Sequence, residues 1–244
     1  MKEIFLSIVQ GLTEFLPVSS SAHLSLIGNW MGMSNLLDKI VAAHVGTLIA
    51  LVLFMYKDII DALKPKNFKY LLKVALAIVP AGIVGILFSS EVEKAINSPR
   101  IIGAFLLFTA LILYLTDFVK NKEKKEPTWL DSIIIGSMQA LAIFPGISRS
   151  GMTISSSLFR KIQPEKAFNF SFLISIPVIF GAALMDFKHS TLTFSQFFDW
   201  KLVVPSFVFG YASLFLLKKV VIGNKLKYFA YYCATVGIIT LIVG

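Results

Sequence analysis

The sequence predicts an all-α integral membrane protein, from its composition and from the spacing of its apolar residues. Of 244 residues, 56% are hydrophobic and 15% are charged, with a mean hydropathy of +0.78, which lies outside the range of soluble domains. The apolar residues form long blocks separated by short charged clusters. A helix needs roughly 20 apolar residues to cross the hydrocarbon core, and several blocks approach that length.

Six blocks are long enough to be full spans, and two are interrupted. In chain order the six are Leu36 to Tyr56, Leu71 to Ser89, Ile101 to Phe118, Ala167 to Phe187, Leu202 to Leu217, and Lys227 to Val243. The other two, Ile4 to Leu16 and Trp129 to Phe144, run into a proline and a serine-rich stretch before a short apolar piece. Broken or re-entrant segments have this pattern.

Charge predicts the orientation of these segments. Sixteen of the 23 lysines and arginines lie in four clusters, which the positive-inside rule places in the cytoplasm. Residues 129–159 lie between two such clusters and must therefore enter the membrane and return. Residues 1–33 are then a re-entrant pair dipping from outside, or else a single irregular crossing. The clusters are Lys57 to Lys73, Lys120 to Lys125, Arg160 to Lys166, and Lys218 to Lys227.

The lysines and arginines do not indicate a nucleic-acid partner despite a net charge of +9, because they lie at the ends of apolar blocks and not along one face. Cys233 is the single cysteine, which excludes a disulfide within the chain and a multi-thiolate metal site. Lys2 precedes an apolar run as in a signal peptide, but Glu14 inside that region argues against cleavage.

Two similar strings indicate an internal repeat. Gln10-Gly-Leu-Thr-Glu-Phe-Leu-Pro-Val-Ser-Ser-Ser recurs about 129 positions later as Gln139-Ala-Leu-Ala-Ile-Phe-Pro-Gly-Ile-Ser-Arg-Ser. Each copy precedes three spans, and an odd number inverts the second copy. We therefore predict an inverted-topology repeat of residues 1–118 and 129–244, each a re-entrant helix pair plus three transmembrane helices. Chance similarity between apolar strings is the alternative.

Glu14 and Arg149 are ionisable residues inside the two interrupted segments. Intramembrane charges are costly unless paired or hydrated, so each is a functional candidate. The alternative is an ion pair that only joins the segments, but the surrounding polar residues exceed what one pair needs. They are Gln10, Thr13, Ser19, Ser20, Ser21 and His23 in the first segment, and Gln139, Ser148, Ser150 and Thr153 in the second.

These residues predict a site for a phosphate and a cation. Gln10 and Glu14 share a helical face, and their oxygens suit a hard cation such as Mg²⁺, which completes its shell with water and phosphate. Pro145-Gly146 breaks the second segment, so that Ser148 to Gly151 begin a half-helix. Its free N–H groups and the Arg149 guanidinium form an anion site. Phosphate or pyrophosphate is the ligand that fits both the cation site and the anion site.

Two histidines have more than one interpretation. His23 lies three residues after Ser20, and the two could be base and nucleophile. Hydrogen bonding alone is the other interpretation of His23. His44 lies in the first span, where we interpret it as packed or lining a cavity.

The string from Gln10 to His23 and the string Pro145-Gly-Ile-Ser-Arg-Ser-Gly-Met-Thr153 resemble the two signature motifs of the bacterial undecaprenyl pyrophosphate phosphatase family, the bacitracin-resistance type. The resemblance covers the whole chain. It implies hydrolysis of undecaprenyl pyrophosphate to undecaprenyl phosphate and inorganic phosphate, which recycles the cell-wall lipid carrier. It also implies a divalent cation, Mg²⁺ or Ca²⁺, and an active site facing outward from the bacterial plasma membrane.

The resemblance also implies roles for individual residues. The metal ligands are Glu14 and Gln10, and this chain has one carboxylate fewer than members with Glu at the latter position. The nucleophile is either Ser20, with His23 or Glu14 as its base, or a water molecule that attacks the substrate directly. The implied catalytic residues are Glu14, Ser20, His23 and Arg149, and the substrate-binding residues are Gln10, Ser19, Ser148, Arg149, Ser150 and Thr153.

Two other functions share part of this pattern. A phosphatase of the histidine acid type needs a nucleophilic histidine soon after its Ser-Arg element, and none follows Arg149 until His189. A lipid or ion transporter, or flippase, of inverted-repeat architecture is the remaining alternative. The expected partners are a polyprenyl pyrophosphate lipid and the bilayer, with no nucleic acid, and a homodimer is left open.

Overall fold

The structure is a computed structural model that describes residues 1–33, 36–96, 98–120, 123–189 and 198–243. These residues form twelve α-helices and two short 3₁₀ turns, Pro65–Asn67 and Thr116–Phe118. The helices are α1 (Lys2–Phe15), α2 (Ser20–Trp30), α3 (Leu36–Phe54), α4 (Tyr56–Ala62), α5 (Phe68–Leu87), α6 (Ser89–Ile96), α7 (Pro99–Leu115), α8 (Trp129–Leu141), α9 (Arg149–Phe159), α10 (Pro164–His189), α11 (Trp200–Ile222) and α12 (Lys227–Val243).

Helix length and apolarity confirm an all-α membrane protein. Within the described ranges, four helical segments can cross a membrane: Pro65–Leu87, Pro99–Phe118, Pro164–Met185 and Trp200–Ile222. A fifth is possible through α3, which bends by 65° into α4. Helix α12 is apolar and shorter, at 17 residues. Each of the six expected spans thus coincides with a helix, while their number as membrane crossings stays a prediction.

The two interrupted segments each form a pair of helices that begins and ends at the same place. Lys2 Nζ donates to the carbonyl of Met31 at 2.8 Å, which joins the start of α1 to the end of α2. Around the pair of α8 and α9, Lys124 N donates to Lys161 O at 3.0 Å, and Gln163 N donates to Lys124 O at 2.9 Å. Each pair therefore begins and ends on one side of the fold, and we call α1 with α2, and α8 with α9, the re-entrant pairs; their path through a membrane stays a prediction.

The turn inside each pair has a local cause. Ser19 precedes α2 with a φ of +66°, a conformation that costs a non-glycine residue about 1–3 kcal/mol. Gly146, between α8 and α9, has a φ of +100°, and a Cβ added there would lie 2.6 Å from Ile102 O. Glycine is required at position 146 by both its conformation and its surroundings.

Two helix crossings are equivalent at the offset of the expected repeat. Helix α1 crosses α11 where Ser206 N donates to Ser7 Oγ at 3.0 Å. Helix α8 crosses α5 where a Cβ on Gly136 would lie 2.4 Å from Ala77 O. Residues 7 and 136, and residues 77 and 206, are each 129 positions apart. This equivalence supports the inverted repeat of residues 1–118 and 129–244, which stays a prediction.

A buried ion cluster fixes the end of the α8 and α9 pair that carries the basic residues. The Asp131 side chain is fully buried and accepts from Arg160 Nε at 2.6 Å and from Lys124 Nζ at 3.0 Å. Asp131 also accepts from Thr128 N at 2.9 Å, and Thr128 Oγ1 caps α8 in return. A capping box of this kind satisfies the first amides of the helix, so the start of α8 is well defined.

Candidate active site

An ion pair joins the two re-entrant pairs. Glu14 is one residue from the end of α1, and Arg149 is the first residue of α9. Glu14 Oε1 and Arg149 Nη2 are 2.6 Å apart, and the two side chains are 6% and 15% exposed. Two charges so far from water are stable only when each makes further hydrogen bonds. The contacts of each group therefore show what the site is built to hold.

The second carboxylate oxygen of Glu14 gathers three polar neighbours. Ser20 Oγ donates to Glu14 Oε2 at 2.7 Å, and Gln10 Nε2 donates to the same oxygen at 3.0 Å. His44 Nε2 on α3 lies 3.5 Å from it. The structure thus brings together Gln10, Glu14, Ser20 and Arg149 as the sequence predicted. It also places His44 at the site, where the sequence indicated only packing or a cavity wall.

Two buried polar atoms beside the ion pair have no hydrogen-bond partner among the described residues. They are Arg149 Nη1 and Gln10 Oε1. A buried donor or acceptor left without a partner costs free energy, so each is expected to meet a ligand. A guanidinium N–H binds phosphate oxygens, and an amide oxygen binds hard cations. The pair of atoms suits a phosphate group together with a divalent cation.

The protein ligands available to such a cation are few. In the described part of the chain, no group of three or more His, Cys, Asp or Glu side chains is placed to hold a metal ion. Glu14 offers a carboxylate to such a cation, and Gln10 offers an amide oxygen. Mg²⁺ is commonly held by one or two carboxylates plus water and substrate phosphate. The residues fit a cation of that kind and not a closed protein cage.

The turns of the two re-entrant pairs contact each other next to the ion pair. Gly146 N donates to Ser19 Oγ at 3.0 Å. Thr109 on α7 supports this contact, because its Oγ1 donates to Gly146 O at 2.8 Å and accepts from Ser148 N at 3.1 Å. Sequence reasoning missed Thr109, since a lone threonine in an apolar span carries no signal. Ser19 is therefore placed as a residue that shapes the site.

The predicted residues of the second segment lie at the start of α9, from its N-cap Ser148 to Thr153. Ser148 caps the helix by accepting from Gly151 N at 3.2 Å, and its hydroxyl lies 3.3 Å from that of Ser150. Thr153 Oγ1 donates to Arg149 O at 2.9 Å. The Thr153 hydroxyl therefore binds the backbone carbonyl of Arg149. The helix N-terminus, with its positive dipole end, adds to the anion-binding character of the guanidinium.

His23 makes contacts different from those of Ser20. Its Nδ1 is 2.8 Å from Ser19 O, and its Nε2 is 2.8 Å from the hydroxyl of Tyr232 on α12. The Ser20 hydroxyl contacts Glu14 instead. Of the two bases considered for Ser20, Glu14 is the one within hydrogen-bond distance. Tyr232 was not foreseen, because it lies 209 residues from His23 in an apolar helix.

Comparison with known proteins places this site in a family. A family model described as bacitracin resistance protein BacA matches residues 3–239. The chain belongs to the BacA family. Relatives named undecaprenyl-diphosphatase include those of Thermosipho melanesiensis, 41% identical with 99% of this chain and 98% of the relative covered, and Thermosipho africanus, 39% identical with both chains fully covered. One from Methanococcus maripaludis is 37% identical, with 96% of each chain covered.

The BacA match includes every residue of the site. The contact between Glu14 and Arg149 and the contact between His23 and Tyr232 lie within residues 3–239, as do both re-entrant pairs apart from Lys2, the first residue of α1. The relatives align over nearly their whole lengths, so the chain spans the same unit as they do.

Proposed function

We propose that this protein is a membrane phosphatase that hydrolyses undecaprenyl pyrophosphate to undecaprenyl phosphate and inorganic phosphate. Its activity would recycle the lipid carrier of cell-wall synthesis and confer bacitracin resistance. Relatives that align over its whole length are named undecaprenyl-diphosphatase. The structural observation that carries the proposal is the unpartnered Arg149 Nη1 next to the Glu14 and Ser20 hydrogen bond. A pure transporter has no need of that nucleophile and base.

Ser20 is the proposed nucleophile and Glu14 its base. The 2.7 Å hydrogen bond from Ser20 Oγ to Glu14 Oε2 lies within the distance expected for such a pair. Ser20 Oγ attacks the terminal phosphorus, its proton passes to Glu14, and the lipid phosphate leaves with the electron pair of the broken P–O bond. Water then attacks the phosphoserine, Glu14 returns its proton to Ser20 Oγ as the P–O bond breaks, and inorganic phosphate leaves with both protons of the water. Direct attack by water on the substrate is the alternative.

Arg149 and the start of α9 neutralise the phosphate charge. Phosphoryl transfer depends mainly on positioning and on stabilising charge. Arg149 keeps one nitrogen on Glu14 at 2.6 Å and offers the other, Nη1, to a phosphate oxygen. The carboxylate thereby orients the guanidinium. Ser148 and Ser150 lie at the same helix end, and their hydroxyls would contact a bound phosphate group.

A divalent cation, Mg²⁺ or Ca²⁺, is part of the proposal. Glu14 and Gln10 Oε1 would hold it, and it would neutralise negative charge on the pyrophosphate when bound. The substrate's polyprenyl tail would stay in the bilayer of the bacterial plasma membrane. The basic clusters support a site that opens to the outer side, because the positive-inside rule places the clusters in the cytoplasm.

Release of inorganic phosphate from a polyprenyl pyrophosphate by the purified protein in detergent tests the function. We expect the parent to release phosphate and Ser20→Ala to lose at least about a hundredfold in kcat. Ser90→Ala, an exposed serine on α6, is the matched control and should keep parental activity. An unchanged lipid after incubation with the parent would refute the phosphatase. Activity within about tenfold of the parent in Ser20→Ala would favour water as the nucleophile.

A further inference from the structure

Two adjoining cavities lie between α4, α5 and α10, at the end of the fold that carries the basic clusters. One is polar, with a volume of about 110 Å³, and the other is apolar, with a volume of about 240 Å³. We call them the polar cavity and the apolar groove. Ala62 and Leu173 line both, so the two are continuous. No described residue that lines them belongs to the candidate active site, which makes this a separate place on the molecule.

The surface changes from polar to apolar along one face of α10. Asn169 lines the polar cavity, Leu173 lines both cavities, and Pro177 lines the apolar groove. These residues are four positions apart, which is the spacing of one helical face. On α5 the groove follows residues 71, 74, 75 and 78, which also share a face. A membrane lipid has the same order, with a polar headgroup followed by an apolar chain.

The apolar groove is open on one side. Leu63 on α4 is 63% exposed, and Ala75 on α5 and Pro177 on α10 are exposed as well. Helix α4 forms one wall because it turns by 65° from the axis of α3. In a membrane protein an apolar surface of this kind lies against lipid, so a lipid chain is the occupant that fits it.

The polar cavity contains a carboxylate that is bonded to a neutral group. Asp58 Oδ1 accepts from Asn169 Nδ2 at 2.7 Å. Asp61 and Glu126 also line the cavity, but each already pairs with a lysine, at 3.0 and 3.4 Å. Asn169 Oδ1 is buried and has no hydrogen-bond partner among the described residues, which is costly unless a ligand donates to it. Asp58 and Asn169 therefore suit a cationic N–H donor.

The same cavity also offers positive charge. Lys125 and Lys166 line it together with Asp58. A lysine ammonium binds phosphate as a point charge. A ligand that satisfies both kinds of group has an ammonium and a phosphate close together.

We propose that the polar cavity and the apolar groove bind a phospholipid whose headgroup has a primary ammonium next to its phosphate. The ammonium binds Asp58 and Asn169 Oδ1, the phosphate binds Lys125 and Lys166, and one acyl chain lies in the apolar groove. This site is independent of the proposed phosphatase reaction.

Lipids with identical acyl chains test the headgroup on the parent protein. Native mass spectrometry of the delipidated protein gives its affinity for phosphatidylethanolamine, for the N-methyl and N,N-dimethyl forms, and for phosphatidylcholine, which has no N–H. We expect the first to bind at least about tenfold more tightly than the last, the size of one hydrogen bond to a charged group, with the other two between them. Equal affinities would mean nonspecific bilayer contact and would overturn the proposal. Phosphatidylglycerol that binds as tightly as phosphatidylethanolamine would overturn the ammonium assignment.

Asp58→Asn tests the protein side of the headgroup contact. The variant keeps an oxygen that can accept from Asn169 Nδ2 and removes the negative charge. Its affinity for phosphatidylethanolamine should fall about tenfold, to that for phosphatidylcholine. Asp117→Asn is the control, because Asp117 pairs with Lys227 at 3.1 Å and lines neither cavity. A full preference for phosphatidylethanolamine in Asp58→Asn would show that this carboxylate does not bind the headgroup.

Ala75→Phe tests the chain contact by filling the apolar groove. Ala75 is exposed, so the ring can enter the groove without repacking the core. The affinity for all four lipids should fall at least about tenfold, which corresponds to about two methylene groups displaced from the groove. Ala104→Phe, at an exposed position on α7, should retain parental affinities. Parental affinities in Ala75→Phe would overturn the placement of the chain. Each readout is lipid binding, so these outcomes leave the phosphatase proposal to its own assay.

Discussion

Ser19 Oγ accepts a hydrogen bond from Gly146 N at 3.0 Å, which joins the turn of one re-entrant pair directly to the turn of the other. Both residues have a positive φ. Each turn redirects its chain, so the last turn of α1 and the first turn of α9 come together. This arrangement is what brings Glu14 to Arg149, and it makes the two turns as important for the site as the charged residues themselves.

Gly146→Ala should therefore damage both the fold and the activity. An added Cβ would lie 2.6 Å from Ile102 O at a φ of +100°, and we expect a loss of about 1–3 kcal/mol in stability. The measurement is the midpoint of thermal unfolding in detergent, with phosphate release in parallel. Gly82→Ala is the control, since a Cβ there meets nothing within 4 Å. An unfolding midpoint of Gly146→Ala at or above that of the parent would contradict the packing argument.

Arg149→Lys should lose about a hundredfold or more in kcat/KM, measured at matched protein level. Arg149 holds Glu14 with one nitrogen while a second remains for phosphate, and a single ammonium group cannot reproduce that fork. Arg100→Lys, a change at an exposed position at the start of α7, should leave kcat/KM at the parental value. Near-normal turnover in Arg149→Lys would show that the guanidinium is not the main phosphate ligand.

Glu14→Gln should abolish the response to added Mg²⁺ or Ca²⁺ along with most activity. Glu14 supplies the carboxylate of the site, and a neutral amide binds hard cations poorly. The experiment is a metal titration of phosphate release after chelation. Glu3→Gln on the same helix is the control, because Glu3 is partly exposed and lies 3.6 Å from Lys39. A full, saturable metal response in Glu14→Gln would place the cation elsewhere.

Gln10→Glu should be tolerated and should tighten metal binding. It exchanges the 3.0 Å hydrogen bond from Gln10 Nε2 to Glu14 Oε2 for a second negative charge one helical turn away. A bound cation compensates that repulsion, so half-saturation should occur at lower Mg²⁺ and the thermal stabilisation by Mg²⁺ should increase. A folded but inactive Gln10→Glu protein would indicate that the amide N–H₂ of Gln10 is the essential group.

The sequence predicted the long apolar helices and the meeting of Glu14 with Arg149, and it missed the short helices α4 and α6 and the supporting contacts. Charges inside apolar segments and a Pro-Gly break are local signals, readable without coordinates. The positions of Thr109, His44 and Tyr232 depend instead on how α7, α3 and α12 are rotated against the re-entrant pairs. A single polar residue in an apolar helix does not reveal that rotation. The 65° bend between α3 and α4 was also missed.

The predicted topology places both chain ends outside the cell, and cysteine labelling tests it. Cys233 is buried and is the single cysteine, so Cys233→Ala provides the background. The exposed positions for new cysteines are Lys2, Glu91 and Glu123. Glu91 lies between a span that follows the cluster Lys57 to Lys73 and a span that precedes Lys120 to Lys125, so it is predicted to be outside. In intact cells, Lys2→Cys and Glu91→Cys should react with an impermeant thiol reagent, and Glu123→Cys should react only after permeabilisation.

The first re-entrant pair is the decisive part of that experiment. The 2.8 Å hydrogen bond from Lys2 Nζ to Met31 O places the start of α1 beside the end of α2, so both should face the side that Glu91 faces. An irregular single crossing would put residue 2 on the opposite side. Labelling of Glu91→Cys but not Lys2→Cys in intact cells, with both reactive after permeabilisation, would show that this segment crosses the membrane. The inverted repeat would then be wrong in its N-terminal half, while the contact of Glu14 with Arg149 would be unaffected.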